Sequence, residues 1–183
     1  MDDEERRIRS YLQAQAAKLS PAQIVDKVRA AMEQLRVAAA AVPPARFGER
    51  PEAGEWSGNE VMAHVLDAGA RFGGEIVHVL DGRHDAPARD AAAVREAAPH
   101  PPTRRSAEEW SALLARDRGA LFARVLAADP GARLDAPIDH GMFGTLNWRE
   151  TLLFLRLHDL DHAGQLQKIA AALGGGEGPP AAI

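Results

Sequence analysis

Four stretches of the chain place an apolar residue at every third or fourth position, and a helix-start signature stands before each. The signature is a capping box, a short polar residue followed three positions later by Glu or Gln. Each side chain then satisfies the other residue's backbone N–H. Ser20-Pro21-Ala22-Gln23 is the first, with proline at the first helical position, where its missing N–H costs nothing. Ser57-Gly58-Asn59-Glu60, Ser106-Ala107-Glu108-Glu109 and Asn147-Trp148-Arg149-Glu150 follow. Stops are written at Pro43-Pro44, Asp81-Gly82, Asp129-Pro130-Gly131 and Gly174-Gly175-Gly176. The pattern predicts helices over 21–42, 57–81, 106–128 and 148–173. Trp56 and Trp148 stand at helix starts and read as staples, Trp56 onto Val61. A further amphipathic helix is expected over 3–19, where Ile8, Tyr11, Leu12, Gln15 and Leu19 share a face. It would lie across the bundle or form a contact between two copies of the chain.

The connections are uneven. Residues 82–105 are rich in Ala, Pro and Arg and long enough to cross over a bundle. Residues 129–147 form a second long loop, a length often tied to function. The expected architecture is therefore all-α: a four-helix bundle over 21–173 with a long crossover between helices two and three. A helical extension over 1–20 precedes it and a flexible tail over 174–183 follows.

Composition narrows the chemistry. The net charge is -4 and the pI about 6.0, so there is no basic field for nucleic acid. There is no cysteine, which removes disulfides, thiolate metal sites and a cysteine nucleophile together. Any metal must sit on His, Asp or Glu, and any thiol must come from outside. No apolar run approaches the ~18 residues of a membrane span, and the acidic start Asp2-Asp3-Glu4-Glu5 lacks the order of a signal peptide. The expectation is a cytoplasmic protein without membrane or nucleic-acid partners. No phosphate-binding glycine motif and no Ser-His-Asp signature appear.

Histidines then stand out where leucines are expected. The stripe of the last helix runs through Leu155, His158, His162, Gln165 or Leu166, and Ile169. Residues four apart point about 40° from each other, one turn apart, so one helix can present two imidazoles to one ion. The helix over 57–81 repeats the anomaly: its stripe is Val61, His64, Val65, Ala68, Phe72, Ile76 and Val79. A buried imidazole costs free energy unless its nitrogens are satisfied, and three inward histidines satisfy one another most simply by sharing a cation. Neutral imidazole suits Zn, Ni, Cu and Fe(II). Three ligands leave a position open, the catalytic rather than the structural type of site. The alternatives are a solvated pair at His158 and His162 and a satisfied core residue at His64.

Asp159 and Asp161 flank the helix-four histidines and are candidates to accept a second imidazole N–H. The alternative is a solvated acidic face, favoured for Asp159. Asp67 is a candidate second-sphere group or base. His78 shares a face with His64 but lies about 21 Å along the axis, and His84 and His100 fall in the crossover. The segment Asp139-His140-Gly141-Met142-Phe143-Gly144 reads as a plain surface turn, with a lid over the site as the alternative.

Trp56-Ser57 with Glu60-Val61-Met62-Ala63-His64-Val65, and the ending His158-x3-His162-Ala163-Gly164-Gln165-Leu166, resemble the DinB-like (damage-inducible) superfamily over about residues 21–173. The resemblance implies a four-helix bundle that binds one divalent metal ion, commonly Zn or Ni, on a triad matching His64, His158 and His162. It also implies an enzyme class: metal-dependent transferases that use a low-molecular-weight thiol such as bacillithiol or mycothiol, the metal favouring the thiolate. A thiol-dependent maleylpyruvate isomerase has a related bundle. The expected partner is thus a small-molecule substrate or thiol, and relatives often form homodimers. Many members have no known activity, so a non-catalytic metal-binding or stress-response role is the alternative. No catalytic residue is singled out.

Overall fold

The computed structural model describes residues 2–83 and 103–174. Most of the predicted crossover, with His84 and His100, and all of the tail after Gly174 lie outside the described residues. Those described form α1 (Asp3–Lys18), α2 (Pro21–Ala41), α3 (Gly58–Leu80), α4 (Ala107–Leu126) and α5 (Trp148–Gly174). A 3-10 turn at Pro44–Arg46 and a hairpin of β1 (Ile138–His140) and β2 (Gly144–Leu146) complete them. None of these helices is long and apolar enough to cross a membrane.

All four predicted capping boxes are present. Ser20, Ser57 and Ser106 each exchange hydrogen bonds with the residue three positions on. Asn147 Oδ1 accepts from the Glu150 backbone at 3.0 Å while its own N–H donates to Glu150 Oε2. A fifth box, Asp2 with Glu5, opens α1. The acidic residues Asp2 and Glu5 thus serve as a helix cap, a role their spacing of three spells out.

α2 and α3 each pack on both α4 and α5, which places α4 diagonally opposite α5. α1 lies across the bundle against α5, burying Leu12 and Ala16 and leaving Tyr11 40% exposed. The sequence predicts one apolar stripe on the last helix. Instead Leu152, Leu153, Phe154 and Leu155 are all buried, because α1, α2 and α3 cover α5 from different sides.

The core falls into two clusters, joined on α2 by Met32, which packs against both. One apolar cluster holds Val25 and Val28 of α2, Phe72 and Ile76 of α3, Leu121 and Phe122 of α4, and Trp148 to Leu155 of α5. The other holds Leu35, Val61 and Val65, Leu114, and Leu166 and Ile169. On α3, α4 and α5 the residues between the two clusters include Gly69, Arg118, His158, Asp159 and His162. A polar belt therefore crosses the middle of the bundle.

The turn around His140 differs from its sequence reading. Residues 138–146 pair as an antiparallel hairpin, Ile138 opposite Leu146 and His140 opposite Gly144. Three residues connect the strands, and Gly144 adopts φ +69°, a left-handed conformation that glycine takes without a Cβ clash. Ile138, His140, Phe143 and Leu146 are buried, so the segment is a core element rather than a surface turn. Its strands, Ile138-Asp139-His140 and Gly144-Thr145-Leu146, are three residues each, too brief for an alternating pattern to mark a hairpin.

Trp148 anchors this end of the bundle. Its ring is fully buried and its Nε1–H donates to the Ala132 carbonyl at 2.8 Å. Trp148→Ala is expected to cost about 3–5 kcal/mol of stability, measured by denaturant titration. A loss below about 1 kcal/mol would contradict the anchoring role.

Candidate metal centre

The two clusters of apolar residues hold α3 against α5, and this brings three histidines together. His64 leaves α3 one position before the buried Val65; His158 and His162 leave α5 on successive turns. Ring centroids stand 5.0 Å apart for His64 and His158, 4.9 Å for His64 and His162, and 4.5 Å for His158 and His162. One nitrogen from each ring lies within 4.8 Å of the other two, and no fourth His, Asp or Glu joins them among the described residues.

One pair of these nitrogens already stands at the spacing of a shared cation. Two nitrogens held by one ion at about 2.1 Å stand roughly 3.0–3.4 Å apart for angles between a right angle and a tetrahedral one. His64 Nε2 and His158 Nε2 are 3.1 Å apart. His162 Nδ1 is 2.8 Å from Gln165 Oε1, an acceptor only, so Nδ1 carries the proton and the Nε2 lone pair is left for a ligand bond. Three converging imidazoles can therefore hold a metal ion.

Burial sets their charge. It pushes the His64 imidazole down to about 4, with His162 adding to the effect, and pushes His158 down to about 2, helped by His162, His64 and Arg118. His162 is lowered by burial too, against the opposing pull of Gln165 and Asp161. All three are neutral near pH 7, the form that binds a metal.

The three aspartates separate. Asp67 and Asp161 are exposed; Asp161 reaches His162 by charge alone. Asp159, read as the more solvated of the pair beside the histidines, is fully buried and paired with Arg118 of α4 at 3.2 Å. It turns away from solvent because successive helix residues point about 100° apart, and with His158 facing α3, Asp159 faces the bundle interior. Burial pushes its carboxyl up to about 6 against the attraction of Arg118. Arg118 was missed, although its position gives it away: it stands on the apolar stripe of α4 between Leu114 and Leu121.

Aromatic rings flank the histidines. Trp56, read as a staple, packs on the core cluster that contains Val61, and its ring also lies 5.1 Å from His64 and stacks on His162 at 6.3 Å and 7°. On the other side Phe154 stands 5.6 Å from His158 and 4.3 Å from His140. His140 is itself sandwiched between Phe72 at 4.9 Å and Phe143 at 4.7 Å. Burial and the Arg71 charge push it down to about 4, against Asp139.

The signs of these shifts fix a pH dependence. Each of these imidazoles has a folded-state pKa below its ordinary value near 6.5, so the unfolded chain takes up protons first. Their contribution is intact above about pH 6.5 and is lost as the pH falls toward 4 for His64 and His140 and toward 2 for His158. Melting temperature of the metal-free protein is expected to fall between pH 6.5 and 5, the four imidazoles outweighing Asp159, whose raised carboxyl opposes the fall as it takes up a proton near 6. His140→Leu, which removes one such group outside the triad, should flatten part of that slope. A melting temperature constant across this window would contradict the assignment of buried neutral imidazoles.

Comparison with curated proteins and with solved structures returns no match in either case. The family model for the DinB superfamily matches residues 24–166, a span that runs from the start of α2 to the histidine pair of α5 and its Gln165 partner. On that match, and with the helical bundle it requires, the chain belongs to the DinB superfamily.

Proposed function

We propose that His64, His158 and His162 hold one divalent ion, Zn or Ni, and that the centre serves a metal-dependent transferase acting with a low-molecular-weight thiol. The observation that carries this reading is the convergence of three imidazole nitrogens within 4.8 Å with no fourth protein ligand among the described residues. A three-ligand centre leaves room for a small molecule. When bound, the ion supplies Lewis acidity that favours a thiolate over a thiol. The chain has no cysteine of its own, so the sulfur nucleophile enters with the small molecule.

The protein's own residues have separate tasks. Burial keeps His64 and His158 neutral, the form that can offer a lone pair to an ion, with their Nε2 atoms 3.1 Å apart. Gln165 fixes the tautomer and rotation of His162. Trp56 packs its ring on His64 and His162, and Phe154 packs on His158.

Protein purified without chelator or nickel resin is expected to carry about one metal per chain by elemental analysis, and His158→Ala to lose it. Full retention in that variant would sink the site. Gln165→Ala should weaken metal affinity about tenfold or more, read by competition with a chromophoric chelator. Turnover of an electrophile with added thiol, abolished in His158→Ala, supports the transferase reading. Tight metal binding with no turnover across several thiols and electrophiles would instead favour a non-catalytic metal-binding role.

A further inference from the structure

The belt contains a second polar feature that the metal reading leaves unused. Arg118 and Asp159 are both 0% exposed and meet at 3.2 Å between the diagonal helices α4 and α5. The guanidinium also presses on α3: a Cβ built at Gly69 would stand 3.1 Å from Arg118 Nη2. One side chain from a helix that carries no ligand therefore touches both helices that do. The pair is poorly satisfied, for Arg118 Nε and Nη1 and Asp159 Oδ2 are buried without a hydrogen-bond partner. Pairs of this kind seldom add net stability over apolar residues of like size, and in some proteins they serve instead to favour one arrangement of the elements they join.

We propose that the Arg118–Asp159 pair, seated against Gly69, is the positioning device of the histidine triad, fixing the rotation of α5 about its axis relative to α3. The inference rests on the metal reading above. The geometric reason is direct. α5 is apolar on several sides, so hydrophobic packing alone discriminates weakly between rotations of the helix. Asp159 can reach the Arg118 guanidinium in one rotation only. His158 precedes it by one residue, about 100° around the helix, and His162 follows it by three. Fixing the direction of Asp159 therefore fixes both imidazoles toward His64. Gly69 supplies the space, since a Cβ there would stand 3.1 Å from Nη2 and 3.2 Å from Cζ of Arg118 and force the guanidinium to shift.

The test separates positioning from stability. In Arg118→Met/Asp159→Val both charges are removed together, so the double variant is expected to keep a wild-type melting temperature or exceed it. Its metal affinity should drop about tenfold or more, the range seen when outer partners of metal ligands are lost, and its Co(II) absorption bands should shift. Gly69→Ala keeps both charges and replaces glycine with a better helix former. It should weaken affinity several-fold at unchanged or higher melting temperature. A folded double variant with wild-type affinity and spectrum overturns the proposal; if the double variant does not fold, the same result for Gly69→Ala overturns it. Wild-type protein that binds no metal would defeat the metal reading itself, which distinguishes the two failures.

Discussion

Desolvation of polar groups at mid-bundle is the constraint on which the remaining structure depends. An imidazole or a charge removed from water must find a partner or pay several kcal/mol. This chain concentrates such groups in one belt and packs apolar clusters above and below it. The clusters supply the stability that the belt does not. They also exclude water from it, which keeps the histidines neutral and strengthens any charge interaction made there. Moving the same groups to the bundle ends would expose them and abolish both effects.

The helices were legible because helix starts are local. A capping box lies within four consecutive residues, and every predicted box forms, as does the unremarked one at Asp2. The convergence of the three histidines was legible for a related reason: each occupies a position in a three-and-four repeat that a plain bundle would give to leucine. What failed to be read was pairing between distant segments. Asp159 looked like a solvated acid because its partner, Arg118, lies 41 residues away on the diagonal helix. The burial of His140 depends on Phe72 and Phe154 meeting the hairpin, which no local pattern encodes.

Arg118 also shows where the reading stopped short on its own terms. The rule that flagged His64, His158 and His162, a polar residue on an apolar stripe, flags Arg118 equally. Applied to every ionisable residue rather than to metal-binding types alone, it would have found an unpaired buried cation on α4 and prompted a search for a buried acid. Asp159, next to a histidine already placed inward but 100° from it, was the available partner.

The two polar features of the belt complement each other physically. The histidines are neutral, and a second proton beside a first is opposed by charge, as the lowering of His64 and His158 by neighbouring imidazoles reflects. Their contact, His64 Nε2 to His158 Nε2 at 3.1 Å, joins α3 to α5 but cannot reach α4. The ion pair does, and its attraction persists at any pH where Asp159 is ionised, because a guanidinium keeps its charge throughout. Its energy is not needed for folding, since the apolar clusters on either side already join the same helices. What the clusters lack is directionality, for hydrophobic burial scales with area and is indifferent to angle. A directional contact one residue from His158 supplies what a metal centre needs and apolar packing does not provide.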